Sequence, residues 1–250
     1  MTFMKKVYWL VKYNKICSPI CSNIGSFWLV VAAALLIADL WVIFLWAPRD
    51  TALGDIQRIL YLHVPAAWVS FFAFFIVFCM SVWYFFKRSD KADRIAHASA
   101  EVGILFTTIF LISGILWAKP VWGVWWTWDP RLTTTLIMWL IYSAYLMVRA
   151  YAGSNKRAER WSAAIGILGF FNIPIVYAST IWWRTIHPQQ MVGPAADPSN
   201  ALPDPMKMTL YFSVAVFTVL FFVLLNIRCN ILSLERKVAI MSHRSNNERL

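Results

Sequence analysis

Six apolar runs separated by short polar connectors dominate the 250-residue chain and leave it few folds to choose from. They cover Phe27 to Ala47, Val64 to Phe86, Val102 to Ala118, Leu132 to Val148, Trp161 to Trp183 and Met208 to Ile227. Each has roughly the 17 to 25 residues that a helix needs to cross the hydrocarbon of a bilayer. In lipid every backbone polar group must be satisfied within the segment, so such runs are helices. The expected fold is all-α: one polytopic membrane domain spanning residues 1–250, with six transmembrane helices and an external tryptophan-rich segment between the third and fourth. The composition agrees, with 60% hydrophobic, 17% aromatic and only 14% charged residues, against about a quarter charged in soluble proteins.

The formal net charge of +11 would point to nucleic acid if it lay on one soluble face, but here it reports topology. Alternate segments hold 17 Lys and Arg residues (the N-terminus, Lys87 to Arg94, Arg149 to Arg160 and the tail), and the others hold 6. The positive-inside rule then puts both termini in the cytoplasm and the connector between the third and fourth spans outside, in the periplasm of a bacterium. The first run, preceded by Lys5, Lys6, Lys12 and Lys15, is too long for the core of a cleaved signal and reads as a signal anchor. Cys17, Cys21, Cys79 and Cys229 form neither a disulfide framework nor a Cys-x-x-Cys-His haem-attachment site. No Gly-x-x-x-x-Gly-Lys-Ser/Thr occurs, so any nucleotide hydrolysis belongs to a partner.

The external connector carries Trp122-Gly-Val-Trp-Trp-Thr-Trp-Asp129, then Pro130 and Arg131. Tryptophan is enriched where bilayer meets water, yet four in seven residues, beside Asp129 and Arg131, exceed a belt and suit a shelf for a flat, largely apolar ligand with polar edges. Opened by Lys119 and Pro120 and containing Gly123, the segment reads as interrupted chain leaving a helix. If it is helical, Trp122, Trp125 and Trp126 share a face; if extended, Trp122, Trp126 and Trp128 do. Asp129 before Pro130 also has the form of a helix cap followed by a first-turn proline.

Two of four histidines lie at the same depth. His63, in Tyr-Leu-His-Val-Pro, opens the second span, with Pro65 suited to its first turn. His187 follows the fifth span; His97 and His243 belong to the other side. Two neutral imidazoles flanking an aromatic shelf can fill both axial positions of a haem iron. Lys119, Arg131 and Arg184 can pair with its propionates or anchor at the interface. Pro174 beside Asn172 should kink the fifth span. Asp39 is an acid within the first span, near its outer end, where it faces a cavity or partner or is solvated. Glu101 sits at the cytoplasmic boundary and needs no special account. The connector from His187 to Met206, rich in proline, is expected to be a semi-rigid external loop.

At these residues the chain resembles the tryptophan-rich haem-handling membrane proteins of cytochrome c biogenesis, whose signature is WGxWWxWD. The Trp-Asp-Pro-Arg-Leu-Thr continuation, the His-Val-Pro-Ala-Ala-Trp context of His63, the six spans and the length all resemble the CcmC branch. That resemblance implies haem b ligated by His63 and His187. It implies a platform of Trp122, Gly123, Trp125, Trp126, Trp128, Asp129 and Arg131 at the periplasmic face of the inner membrane. It further implies delivery to a CcmE-like haem chaperone, alongside a CcmD-like small membrane protein and a CcmA/CcmB-like ATPase complex, and no enzymatic activity. The competing readings are a haem lyase subunit, a relative that tends to be larger, and a transporter carrying haem through the bundle, for which paired broken helices are not obvious. A cytochrome b type subunit needs histidines facing each other deep within the spans, and none lies there.

Overall fold

A computed structural model describes residues 19–152, 156–183, 185–188 and 202–247. Among them are seven α-helices: α1 (Pro19–Trp41), α2 (Leu60–Lys87), α3 (Asp90–Trp122), α4 (Pro130–Ala152), α5 (Lys156–Phe170), α6 (Asn172–Trp182) and α7 (Asp204–Asn247). With α5 and α6 as two halves of one crossing, these give six helices long and apolar enough to span a membrane. The chain is therefore an all-helical, multi-pass membrane protein. Consecutive spans run antiparallel, and α2 and α3 form the most extensive pair.

Helix continues beyond the hydropathy at several boundaries. The second crossing begins not at Val64 but with a 3-10 turn at Asp55–Ile59 that feeds directly into α2. Asp55 accepts from both Arg49 and Arg58, so a charged cluster shapes a turn that apolar periodicity cannot register. Arg58 also donates to the carbonyl of Ile43 in the π-helical end of the first span, Val42–Trp46, where the wider winding loosens the regular ladder. Pro65 consequently lies inside a helix rather than in its first turn. The third crossing starts at Asp90, because Ser89 caps it by accepting from the Ala92 amide at 3.4 Å. The expected basic connector of Lys87 to Arg94 thus shrinks to Arg88 and Ser89, with Arg88 in the left-handed region at φ 51°.

The end of the bundle remote from His63 and His187 is tied by charge. Arg149 pairs with Asp93, Lys156 with Asp90 and Glu159, and the Tyr84 hydroxyl donates to Glu159 at 2.8 Å. Glu101, expected to need no account, in fact joins helices: Arg228 of α7 bonds it with two guanidinium nitrogens, and His97 lies 3.5 Å away. Mid-bundle, helices approach over glycine. A Cβ on Gly103 would come within 2.6 Å of Phe74, one on Gly166 within 2.8 Å of Ser81 and one on Gly169 within 2.8 Å of Ile141. Asp39 is neither solvated nor turned to a cavity: it is buried and accepts from Ser213 at 2.7 Å, an intramembrane hydrogen bond joining α1 to α7. The fifth crossing breaks at Phe171, three residues before Pro174, and the Asn172 amide donates to the Thr134 carbonyl at 3.0 Å. That side-chain bond ties the break to α4.

Candidate functional site

The site is built where the His63 end of α2, the Trp122 end of α3, the start of α4 and the chain beyond α6 meet. Gly123, at φ 77°, ends α3 by donating its amide to the Lys119 carbonyl at 3.0 Å, a left-handed stop that any other residue adopts only with strain. α3 therefore runs through Pro120 to Trp122, and the interruption starts four residues later than Lys119 suggests. From Val124 to Asp129 the chain is neither helix nor strand. The four indoles consequently do not form either expected common face. Trp122 meets Trp117 edge-on at 5.2 Å and His187 at 6.4 Å, Trp126 meets Trp128 at 5.7 Å, and Trp125 lies under Lys119 Nζ at 5.8 Å. Trp122 and Trp126 are half-buried, whereas Trp125 and Trp128 are 54% and 76% exposed, so two indoles face inward and two are offered outward.

Asp129 holds this segment to the chain carrying His187. Its Oδ1 accepts the Arg131 amide at 2.9 Å, capping α4. Its Oδ2 accepts the Thr185 hydroxyl at 2.5 Å and the Ile186 amide at 3.1 Å. Thr185 Oγ1 in turn accepts the His187 amide at 3.0 Å. The same carboxyl that starts α4 also fixes the chain just before His187. An open depression of about 500 Å³ lies beside it, lined by Thr127, Trp128, Pro130, Thr185 and Ile186.

The ring nitrogens of both histidines can be assigned from their partners. Ser113 Oγ donates to the Phe110 carbonyl at 3.0 Å, which uses its only hydrogen. With that hydrogen so used, Ser113 Oγ, 3.0 Å from His63 Nδ1, is set to accept, which favours the tautomer with the proton on Nδ1. The Nδ1 of His187 lies 2.8 Å from the Pro188 carbonyl, which can only accept, so the proton is again on Nδ1. Both imidazoles are thereby left with the Nε2 lone pair for a ligand. His63 is within electrostatic reach of His187 and Arg131. It packs on Phe110 at 4.6 Å between ring centroids, and Gly114 makes room, since a Cβ there would lie 3.1 Å from His63 Cε1. Burial, reinforced by the nearby Arg131 charge, lowers His187 to about 4, so it stays neutral at physiological pH. Among the described residues no group of three or more His, Cys, Asp or Glu side chains could hold a metal ion.

The cations divide. Arg131 does not reach outward: its Nη1 donates to the Val176 and Tyr177 carbonyls, each at 3.4 Å, and pins α4 to α6. Lys119 is exposed, donates to the Gly123 carbonyl at 2.9 Å and covers Trp125. Arg184, and the proline-rich connector over 189–201, lie outside the described residues. Ser113, Thr185, Trp117 and Pro188 escaped the sequence reading. Only Ser113-Gly114 left a signal there, a polar and a minimal residue in an apolar span, as a close neighbour requires.

Residues 9–244 match the family model described as CcmC, Heme exporter protein C. The chain belongs to the heme exporter protein C family. The heme exporter protein C of Bradyrhizobium diazoefficiens is 34% identical over 198 residues, 78% of this chain and 73% of that protein. The Escherichia coli K12 protein of that name is 32% identical over 194 residues, covering 74% and 75%. The Paracoccus denitrificans one is 30% identical over 220 residues, covering 88% and 90%. Membership of the heme exporter protein C family makes this multi-pass membrane protein a haem-handling one.

Proposed function

We propose that this chain holds haem b at the periplasmic face of the bacterial inner membrane, with the iron between His63 and His187, and delivers it to a CcmE-like haem chaperone for the biogenesis of c-type cytochromes. The observation that carries this reading is the matched setting of the two imidazoles: each has Nδ1 against an oxygen, Ser113 Oγ or the Pro188 carbonyl, an arrangement that leaves Nε2 for a ligand. Exposed Trp125 and Trp128 supply apolar faces for the macrocycle. Trp122, Trp126, Gly123, Asp129 and Arg131 shape and brace the segment that carries those faces. Exposed Lys119 is better placed than inward-turned Arg131 to meet a propionate. Covalent attachment would require positioned acid, base or redox groups. Around these residues there are stacking surfaces, two ligands, cations and one structural carboxyl, so the chain presents haem and is not an enzyme. It works as one six-span domain with both termini in the cytoplasm. A CcmD-like small membrane protein and a CcmA/CcmB-like ATPase complex complete the machinery.

Absorption spectra of the purified, haem-loaded protein test the ligands. His63→Ala and His187→Ala should each lose or shift the bis-imidazole spectrum, while His97→Ala and His243→Ala leave it unchanged. An unchanged spectrum in both outer variants would remove the pair as ligands. Adding apocytochrome c under reducing conditions, with no other component, tests the handover; accumulation of covalent cytochrome with turnover would make the chain a lyase.

A further inference from the structure

Helix α7 is far longer than its membrane crossing requires. Its 44 residues extend about 66 Å at 1.5 Å per residue, and the hydrocarbon takes up only about 20 of them. Arg228, paired with Glu101, and Arg236, paired with Asp90 and Glu159, belong to the charged collar that ends the membrane bundle. Beyond Arg228 the helix nevertheless keeps an apolar seam: Ile231, Leu234, Val238 and Met241 are 41–59% exposed. With Leu224 and Ile227 they recur at alternating steps of three and four, the a and d positions of a coiled-coil repeat. Arg236, turned to the bundle, occupies the opposite face of that repeat. At its membrane end the seam opens into a groove of about 460 Å³ between α3 and α7, floored by Val102, Leu105, Leu224, Ile227 and Ile231. A contiguous apolar strip past the lipid marks an interaction surface.

The edges of the seam indicate what covers it. Glu235 on one edge is neutralised by Arg228 at 3.1 Å. Lys237 on the other edge is exposed and has no ion pair among the described residues, so the net edge is basic. A second copy, necessarily parallel in the same membrane, would set Lys237 against Ser242 in this repeat and gain no ion pair. We propose that the groove and the seam beyond it receive a membrane-spanning helix of a different chain, whose extension past the bilayer carries apolar residues at the same repeat and acidic residues along the edge facing Lys237. This surface lies at the end of the bundle remote from His63 and His187, and its existence is independent of how haem is bound.

The test places a photoreactive side chain at Leu234 or Val238 of the full-length protein in its native membrane, with exposed Ile240, off the seam, as the control. After irradiation, adducts at both seam positions with one other membrane-spanning chain, at least tenfold above Ile240, are expected. The sequence of that chain should show the acidic, heptad-spaced extension, and Lys237→Glu should cut the adduct several-fold while haem loading stays normal. Adducts with a second copy or with lipid, equal yields at Ile240, no adduct, or indifference to Lys237→Glu would each overturn the proposal. A nitroxide at Leu234 in the purified protein adds a check that needs no partner. It should be reached by a water-soluble relaxation agent, and selective access for oxygen would make the seam a lipid face instead.

Discussion

Replacing Asp129 by alanine tests whether one carboxyl organises the histidine loop. The substitution removes three acceptor contacts, from the Arg131 amide, the Thr185 hydroxyl and the Ile186 amide. Loss of a helix cap costs about 1 kcal/mol, and a hydrogen bond to a charged group contributes about 1.5 to 3 kcal/mol. The carboxyl is only 8% exposed, so water compensates little. Because the three contacts share one group and are not additive, the loop anchor should weaken by about 3 kcal/mol, a factor of about 100 in local opening. Hydrogen exchange of the Ile186 and His187 amides should accelerate by about that factor, with the amides in the middle of α2 unaffected, and haem retention should fall in parallel. Asp129→Asn keeps one acceptor oxygen and should lie between the two. If Ile186 exchange is unchanged in Asp129→Ala, the carboxyl does not hold the loop, and its effect on haem, if any, has another origin.

Ser113→Ala removes the acceptor for His63 Nδ1; at about 1 kcal/mol for one hydrogen bond, haem should be retained about fivefold less well. Nitrogen NMR of the haem-free protein should show His63 losing its single tautomer, and Ser113→Thr should restore both properties. A histidine with an ordinary value near 6.5 is only about a tenth neutral at pH 5.5, but His187 is lowered to about 4 and stays neutral as pH falls through that range. Haem affinity should therefore be flat from pH 8 to 5.5 and drop only as about 4 is approached; a tenfold loss by pH 5.5 would contradict the burial argument. Reporter fusions after Asp55, Trp128 and Pro194 should read as external, and those after Asp90, Asn155 and the C-terminus as cytoplasmic; a cytoplasmic Trp128 fusion would turn the haem site the wrong way.

The six crossings are legible because transfer of apolar side chains from water dominates everything else in such a chain, and the break near Pro174 is legible because proline lacks a donor. Their ends are less so. At Asp55 and Asp90 helical backbone continues through charged residues, held by Arg58 and by the Ser89 cap, contacts that hydropathy treats as connectors. The site was half visible. Residue type and depth singled out His63, His187 and Asp129, but the tautomers depend on Ser113, fifty residues from His63, and on the Pro188 carbonyl. Of the two only Ser113, beside Gly114, leaves a mark in local sequence, and that mark does not say which residue it meets. Neither common face of the tryptophans was legible in periodicity, because one left-handed glycine, Gly123, stops the helix after the first of the four and leaves the other three in irregular chain.

The three glycine crossings give the bundle an uneven mechanical character. Where Gly103, Gly166 and Gly169 let side chains of the neighbouring helices pack directly onto their backbone, there is little room for a side chain to change rotamer, and that part of the molecule behaves as a clamp. The histidine end has one looser contact of this kind, Gly114 against His63. It is fastened by single hydroxyls, one carboxyl and a few carbonyls, each of which can let go and re-form without disturbing the rest. On the proposed function, haem sits in the compliant mouth of a stiff frame, and gentle warming or mild detergent should free it well before the helices part.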